Sequence, residues 1–132
     1  RVPEASLPEM RRPRLDGARL KSKGELQRFA KARRLLDQMA SPRLKVVMDG
    51  ANIFHKGQLP RMRGILDEAF ELLGDDVAMA HAKDLDHDGD AGNKAAGHGL
   101  LDYDQYLSLL NGLKRPVPLI LHGLDESQVD GC

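Results

Sequence analysis

The sequence predicts an α/β fold built on a parallel sheet, because three short apolar runs alternate with segments of helical periodicity. The runs cover residues 45–48, 77–84 and 117–121. Consecutive apolar residues in a short run are typical of a strand that is covered on both faces. Strands that alternate with helices over short connections pair in parallel through right-handed crossovers. We therefore predict a βαβαβ unit with about three parallel strands.

The helices are predicted from apolar residues that recur at spacings of three and four. Residues 25–39 and 60–73 carry this pattern, and a proline and a glycine stand at the two ends of the second segment. Asp102 precedes a third helical segment, where it can serve as the N-cap. Residues 84–101, between the central strand and that cap, are predicted to form a long loop.

Each predicted strand ends in a titratable residue. Asp49 follows the first run, His81 lies near the end of the second, and His122 follows the third. Because ligands of parallel α/β sheets bind beyond the carboxyl ends of the strands, we expect these side chains to face one space. Carboxylate and imidazole are ligands that divalent metals accept. The sequence therefore predicts a metal site, and the alternative is that the histidines form structural hydrogen bonds.

Composition and charge argue against several classes of protein. The chain of 132 residues has no net charge, so no overall field favours nucleic acid or a membrane surface. No apolar stretch approaches the roughly 20 residues of a membrane span. The single cysteine, Cys132, excludes an internal disulfide and predicts a reducing, cytoplasmic setting. Residues 1–23 are basic and interrupted by prolines, so they are predicted to be an irregular segment ahead of a domain formed by residues 24–132.

Three motifs carry a resemblance to a known family. Residues 47–54 (Val-Met-Asp-Gly-Ala-Asn-Ile-Phe) match a strand end of the form D-x-x-N/H, and residues 80–84 (Ala-His-Ala-Lys-Asp) match H-x-K-D. Residues 97–103 (Gly-His-Gly-Leu-Leu-Asp-Tyr) match G-x-G-x-x-D-[FY], which leads into the last helix of a barrel. Together they resemble the sugar phosphate isomerase/epimerase family, the xylose isomerase-like TIM barrels. The resemblance covers roughly residues 25–129 and implies the C-terminal half of a TIM barrel.

The resemblance implies a role for each matching residue. Asp49 and His81 would be ligands of a catalytic divalent ion, Mn, Mg or Co. That ion would polarise a small sugar or sugar phosphate for proton transfer at carbon. Asn52 would contact the substrate, and Lys83 and Asp84 would touch the substrate or orient the loop that carries His81.

Two departures from the family pattern bear on activity. The glutamate that the family carries at the end of its last strand is replaced by His122, which we expect to bind the metal and to act as a base. The second family glutamate, on an earlier strand, has no counterpart that the sequence identifies. We therefore predict a metal-assisted isomerase or epimerase with an incomplete site. The alternative is a non-catalytic α/β fragment or binding module.

The strand count predicts a partial barrel. A TIM barrel has eight strands, typically in about 250 residues, whereas three strands are predicted here. We expect a fragment of an eight-stranded barrel. Its open sheet edges would also allow self-association.

A calcium loop is an alternative interpretation of the acidic segment after the central strand. Residues 84–89 read Asp-x-Asp-x-Asp-Gly, the opening of such a loop. Ala95 stands where calcium would need a bidentate acid, and a strand precedes the segment where a helix is required. A solvated acidic loop is the favoured interpretation.

Overall fold

The structure is a computed structural model, and it describes residues 23–132. Within them there are three α-helices: α1 (Lys23–Met39), α2 (Met62–Leu73) and α3 (Tyr103–Asn111). The five strands of the same part of the chain are β1 (Val46–Asp49), β2 (Val77–Ala82), β3 (Asp84–Leu85), β4 (Ala91–Lys94) and β5 (Leu119–Leu121). None of these helices is long and apolar enough to cross a membrane. The irregular segment was predicted over residues 1–23. Residues 1–22 of it lie outside the described residues.

The predicted parallel sheet is confirmed. Its strand order is β1-β2-β5, and both pairs of neighbouring strands are parallel. The last strand is shorter than the apolar run that predicted it, since β5 begins only at Leu119. Pro118 precedes it and has no amide hydrogen to donate to a ladder, although its carbonyl accepts from Ala80 at 2.9 Å.

The ends of the helices follow local chemistry. Asp102 caps α3 as predicted, because its side chain accepts a hydrogen bond from the Gln105 amide at 3.0 Å. Gly74 follows the last residue of α2, but its φ of −54° is right-handed. A Cβ at that position would lie 3.1 Å from a Leu113 methyl group. Close packing, more than a left-handed turn, therefore favours glycine there.

The helices cover one face of β1 and β2 and form with it a core of aliphatic and aromatic side chains. Met48 of β1 and Ala80 of β2 are paired in register and buried on this face. Leu66 of α2 and Tyr106 of α3 are also fully buried, and α1 packs on α2 through residues that include Phe29. Burial of apolar surface is the main force that holds these layers together.

The opposite face of the sheet is open. Val47 of β1 is 53% exposed and Ile120 of β5 is 41% exposed. The prediction that the strands are covered on both faces is therefore wrong for the described residues. Three strands do not close on themselves, so the side chains that would fill the inside of a closed barrel face solvent instead.

The long loop predicted over residues 84–101 contains a short antiparallel hairpin formed by β3 and β4. Asp86 donates its amide to the Asp90 carbonyl at 2.9 Å, and Gly89 turns the chain with a left-handed φ of 92°. Alternation of polar and apolar residues is absent over these few positions. The hairpin was therefore not foreseen from the sequence.

Candidate metal centre

The register of the sheet brings the three predicted metal ligands together. Asp49 of β1 pairs with His81 of β2, and His81 pairs with Ile120 of β5. Partners in register share a face, and His122 lies two residues after Ile120, so its side chain returns to that face. One ligand atom from each of Asp49, His81 and His122 lies within 4.8 Å of the others. Among the described residues, this is the only such group of three.

The carboxylate of Asp49 is held in place by the turn that follows β1. Its Oδ1 accepts hydrogen bonds from the amides of Ala51 at 3.1 Å and Asn52 at 3.0 Å. Its Oδ2 accepts from the side-chain amide of Asn52 at 2.9 Å and lies 3.5 Å from Nδ1 of His81. A carboxylate offers about four acceptor positions. Three are used here, so the remaining one is on the side that faces His81.

The two histidine rings lie against each other. His81 and His122 are stacked with a centroid distance of 4.6 Å and an angle of 2° between their planes. Ring-nitrogen lone pairs lie in the plane of the ring, so two parallel rings cannot aim them at one point. His122 is exposed, whereas His81 is half-buried. Joint binding of an ion therefore requires a rotation, and His122 has the space for it.

Tyr106 connects the backbones of β1 and β2, a contact that the sequence did not predict. Its hydroxyl lies 3.1 Å from the Met48 carbonyl and 3.0 Å from the His81 carbonyl, and it accepts the Gly50 amide at 3.3 Å. Burial raises the pKa of Tyr106, so the hydroxyl keeps its proton and can donate. A Cβ on Gly50 would lie 2.9 Å from the Tyr106 ring, so only glycine allows this approach.

Asp84 orients the loop after β2. Its side chain has no exposed surface, and Oδ1 accepts the amides of Leu85 and Leu101, both at 2.8 Å. Oδ2 accepts the amide of Gly97 at 2.9 Å. A Cβ on Gly99 would collide with this carboxylate and with the Leu85 carbonyl. Of the two roles expected for Asp84, these contacts support orientation of the loop.

Lys83 is a further basic residue near the carboxyl ends of the strands. It is only 9% exposed, and its aliphatic stem passes Gly123, the residue after His122. The Lys83 carbonyl accepts the Tyr103 hydroxyl at 2.7 Å. Within the described residues, no hydrogen bond or ion pair to the Lys83 ammonium is found. An ammonium in such a position favours an anionic or oxygen-rich neighbour.

The carboxylates of the acidic hairpin contact other groups of the protein. Asp86 lies 3.7 Å from the Lys94 ammonium, and Asp90 accepts the Lys56 amide at 2.6 Å. The backbone hydrogen bond from Asp90 holds the pKa of Asp88 below its ordinary value. Asp86 is thus paired with a lysine, and Asp88 and Asp90 each accept a backbone amide, as in a solvated acidic turn. A separate groove of about 690 Å³ is lined by residues 59–65, Asp67, Glu68, Glu71 and Asp102, and includes none of the three predicted metal ligands.

The fold and this group define a class of protein. The described residues form part of a parallel α/β barrel, with metal-binding residue types at the carboxyl ends of its strands. The family model described as xylose isomerase-like TIM barrel matches residues 20–124, and the chain belongs to that family. No curated protein and no solved structure matches the chain.

Proposed function

We propose that the chain is a divalent-metal-dependent protein of the sugar isomerase/epimerase type, acting on a small sugar or sugar phosphate. The observation that carries this proposal is the convergence of Asp49, His81 and His122 at the ends of three adjacent parallel strands. Membership of the xylose isomerase-like family supports the reaction type. The lone cysteine favours a cytoplasmic setting for it.

The three side chains fit a divalent ion in chemistry, and two of them, Asp49 and His81, also fit it in spacing. Ligand atoms about 2.1 Å from a tetrahedral ion lie about 3.4 Å apart, and Asp49 Oδ2 and His81 Nδ1 are 3.5 Å apart. Asp49 and His81 would hold the ion, and His122 would join them after its ring rotates. Mn²⁺, Mg²⁺ and Co²⁺ are the ions expected from the family resemblance. When bound, such an ion polarises a substrate oxygen and makes the adjacent C–H bond more acidic.

The remaining residues have roles toward the substrate. Asn52 fixes the Asp49 carboxylate through its amide nitrogen, which leaves its amide oxygen to accept a substrate hydroxyl. Lys83 would bind an anionic or hydroxyl oxygen of the sugar, and Asp84 would hold the loop that carries Lys83. His122 is exposed, and in its second role it would take up the proton at carbon while its ring is not bound to the ion, because a neutral imidazole has a single basic nitrogen.

A non-catalytic binding module is the second candidate. The observation that favours it is that no glutamate of the described residues joins the group formed by Asp49, His81 and His122. The family resemblance implies two glutamates that move the proton. A site that lacks both would bind an ion and a sugar without exchanging the proton.

The proposal is tested by calorimetric titration of the chain with Mn²⁺ and with Co²⁺, after circular dichroism has shown that it is folded. We expect binding that disappears in Asp49→Ala and in His81→Ala. The exposed His87, outside the group, supplies the matched control His87→Ala. Binding that persists in the first two variants, or no binding by the folded chain, would contradict the metal site.

Exchange of substrate protons separates the two candidates. The metal-loaded chain is incubated with a panel of sugars and sugar phosphates in D₂O, and incorporation of deuterium at carbon is followed by NMR. Incorporation that depends on His122 supports an isomerase or epimerase. Metal binding without incorporation in any of the sugars supports the binding module.

A further inference from the structure

The composition of the candidate site suggests which ions it prefers. The group contains two imidazoles and one carboxylate, supplied by His81, His122 and Asp49. Imidazole suits zinc, cobalt and other transition metals, whereas magnesium and manganese prefer carboxylate, carbonyl and water oxygens. Two of the three available ligand atoms are thus nitrogens. This balance is unfavourable for the hard cations.

The hydrogen bonds of Asp49 strengthen this imbalance. Three of its roughly four acceptor positions are occupied by the amides of Ala51 and Asn52 and by the Asn52 side chain. The carboxylate can therefore offer an ion a single oxygen. One carboxylate is the lower end of what usually binds Mg²⁺, and the two other side chains of the group are nitrogen ligands, which Mg²⁺ does not prefer.

The spacing of Asp49 and His81 agrees with a four-coordinate ion. The 3.5 Å between Asp49 Oδ2 and His81 Nδ1 is close to the edge of a tetrahedron around zinc. With His122 as the third ligand, one position stays open for water or substrate. Three protein ligands and one open position are typical of catalytic zinc sites.

We infer that His122 sets the metal preference of this site, so that it binds Zn²⁺ and Co²⁺ and discriminates against Mn²⁺ and Mg²⁺. The inference rests on the proposed function, because the same three side chains hold the ion. It goes further by assigning the choice of ion to the one exposed side chain of the three. A glutamate at position 122 would supply a second carboxylate and return the site to ions that prefer oxygen.

The test compares residue 122 variants, since almost any site with nitrogen and oxygen ligands binds Zn²⁺ more tightly than Mn²⁺. Dissociation constants for Zn²⁺, Co²⁺, Mn²⁺ and Mg²⁺ are measured by calorimetry for the full chain, His122→Glu and His122→Gln. We expect His122→Glu to lower the ratio of Zn²⁺ to Mn²⁺ affinity by about tenfold or more. His122→Gln should weaken Zn²⁺ binding and leave Mn²⁺ binding no tighter.

Two controls restrict the measurement to the site. All proteins carry Cys132→Ser, because the exposed thiol is itself a zinc ligand. Asp49→Ala measures how much metal ion binds to the protein outside the candidate site. His122 is exposed, so its variants are expected to fold, and circular dichroism checks this.

The outcomes distinguish the metal preference set by His122 from the metal site itself. If Zn²⁺ binds and the ratio falls in His122→Glu, the inference is supported. If the chain binds ions at Asp49 but the ratio is the same with histidine and glutamate at 122, the inference is overturned and the metal site remains. If no ion binds, or Asp49→Ala changes nothing, both are overturned.

Discussion

The Tyr106 hydroxyl offers the sharpest test of how the fold positions the candidate site. It lies within 3.1 Å of the Met48 and His81 carbonyls and accepts the Gly50 amide at 3.3 Å. Met48 directly precedes Asp49, so this one group fixes the backbone beside Asp49 and His81. Tyr106→Phe removes the hydroxyl and keeps the ring that packs against Phe70.

The expected loss of stability follows from these contacts. A typical hydrogen bond contributes about 1 kcal/mol net, and a buried group left unpaired costs about 1–3 kcal/mol. Tyr106 has no exposed surface, so water does not replace the hydroxyl. With one bond donated and one accepted, Tyr106→Phe should cost about 2 kcal/mol. For a domain of this size, the melting temperature should fall by about 6–10 °C.

The same change should weaken metal binding, because the ends of β1 and β2 lose a shared anchor. Groups that orient metal ligands typically contribute about 10- to 100-fold to affinity. Urea unfolding measures the loss of stability, and metal titration under folding conditions measures the loss of metal affinity.

Tyr103→Phe is the matched control. It removes a hydroxyl from the same helix, but that hydroxyl is bonded to the Lys83 carbonyl. It should cost about 1 kcal/mol or less and leave metal affinity unchanged. A loss below about 0.5 kcal/mol for Tyr106→Phe, or equal metal affinities in the two variants, would refute the positioning argument.

Two further predictions concern carboxylates outside the group formed by Asp49, His81 and His122. Asp84→Asn places an amide NH₂ against backbone amides that now donate to a carboxylate, so the free energy of unfolding should fall by about 3 kcal/mol or more. In urea unfolding, the surface control Asp86→Asn should change it by less than about 0.5 kcal/mol, and equal losses would contradict the role of Asp84. Arg33 donates to Asp76 and lowers the pKa of that carboxyl, so its stabilising contribution is present at neutral pH and is lost as the pH falls through the lowered pKa. Asp76→Asn should therefore be less stable than the parent by about 1 kcal/mol at pH 7, and the difference should vanish in acid; a difference that is constant with pH would argue against the ion pair.

Local chemistry made much of the fold predictable. The spacing of the apolar residues predicted the central parts of α2 and α3. Asp102 caps α3, as its position before the helix predicts. The runs around 46–49 and 77–82 are strands, because several apolar residues in succession favour burial in a sheet. The positions of Asp49, His81 and His122 at strand ends were likewise predictable, since parallel strands end at a common edge.

Other features depend on atoms far apart in the sequence. The hairpin of β3 and β4 has no alternating pattern, and it is held partly by Asp84, whose carboxylate accepts an amide 17 residues away. Tyr106 meets the Met48 carbonyl across 58 residues, a contact that no local pattern encodes. The stack of His81 on His122 also arises only once β5 lies beside β2.

The sequence by itself determined the alternation of helices and strands, the family and the residue types at the rim, because these depend on periodicity and on short motifs. Tertiary structure alone decided that one sheet face stays open, that Asp84 is turned inward to three amides, and that the two histidine rings lie parallel. These outcomes depend on register, on packing and on which carbonyls and amides are left to be satisfied. The register, the packing and the hydrogen-bond partners become fixed only when distant segments of the chain meet.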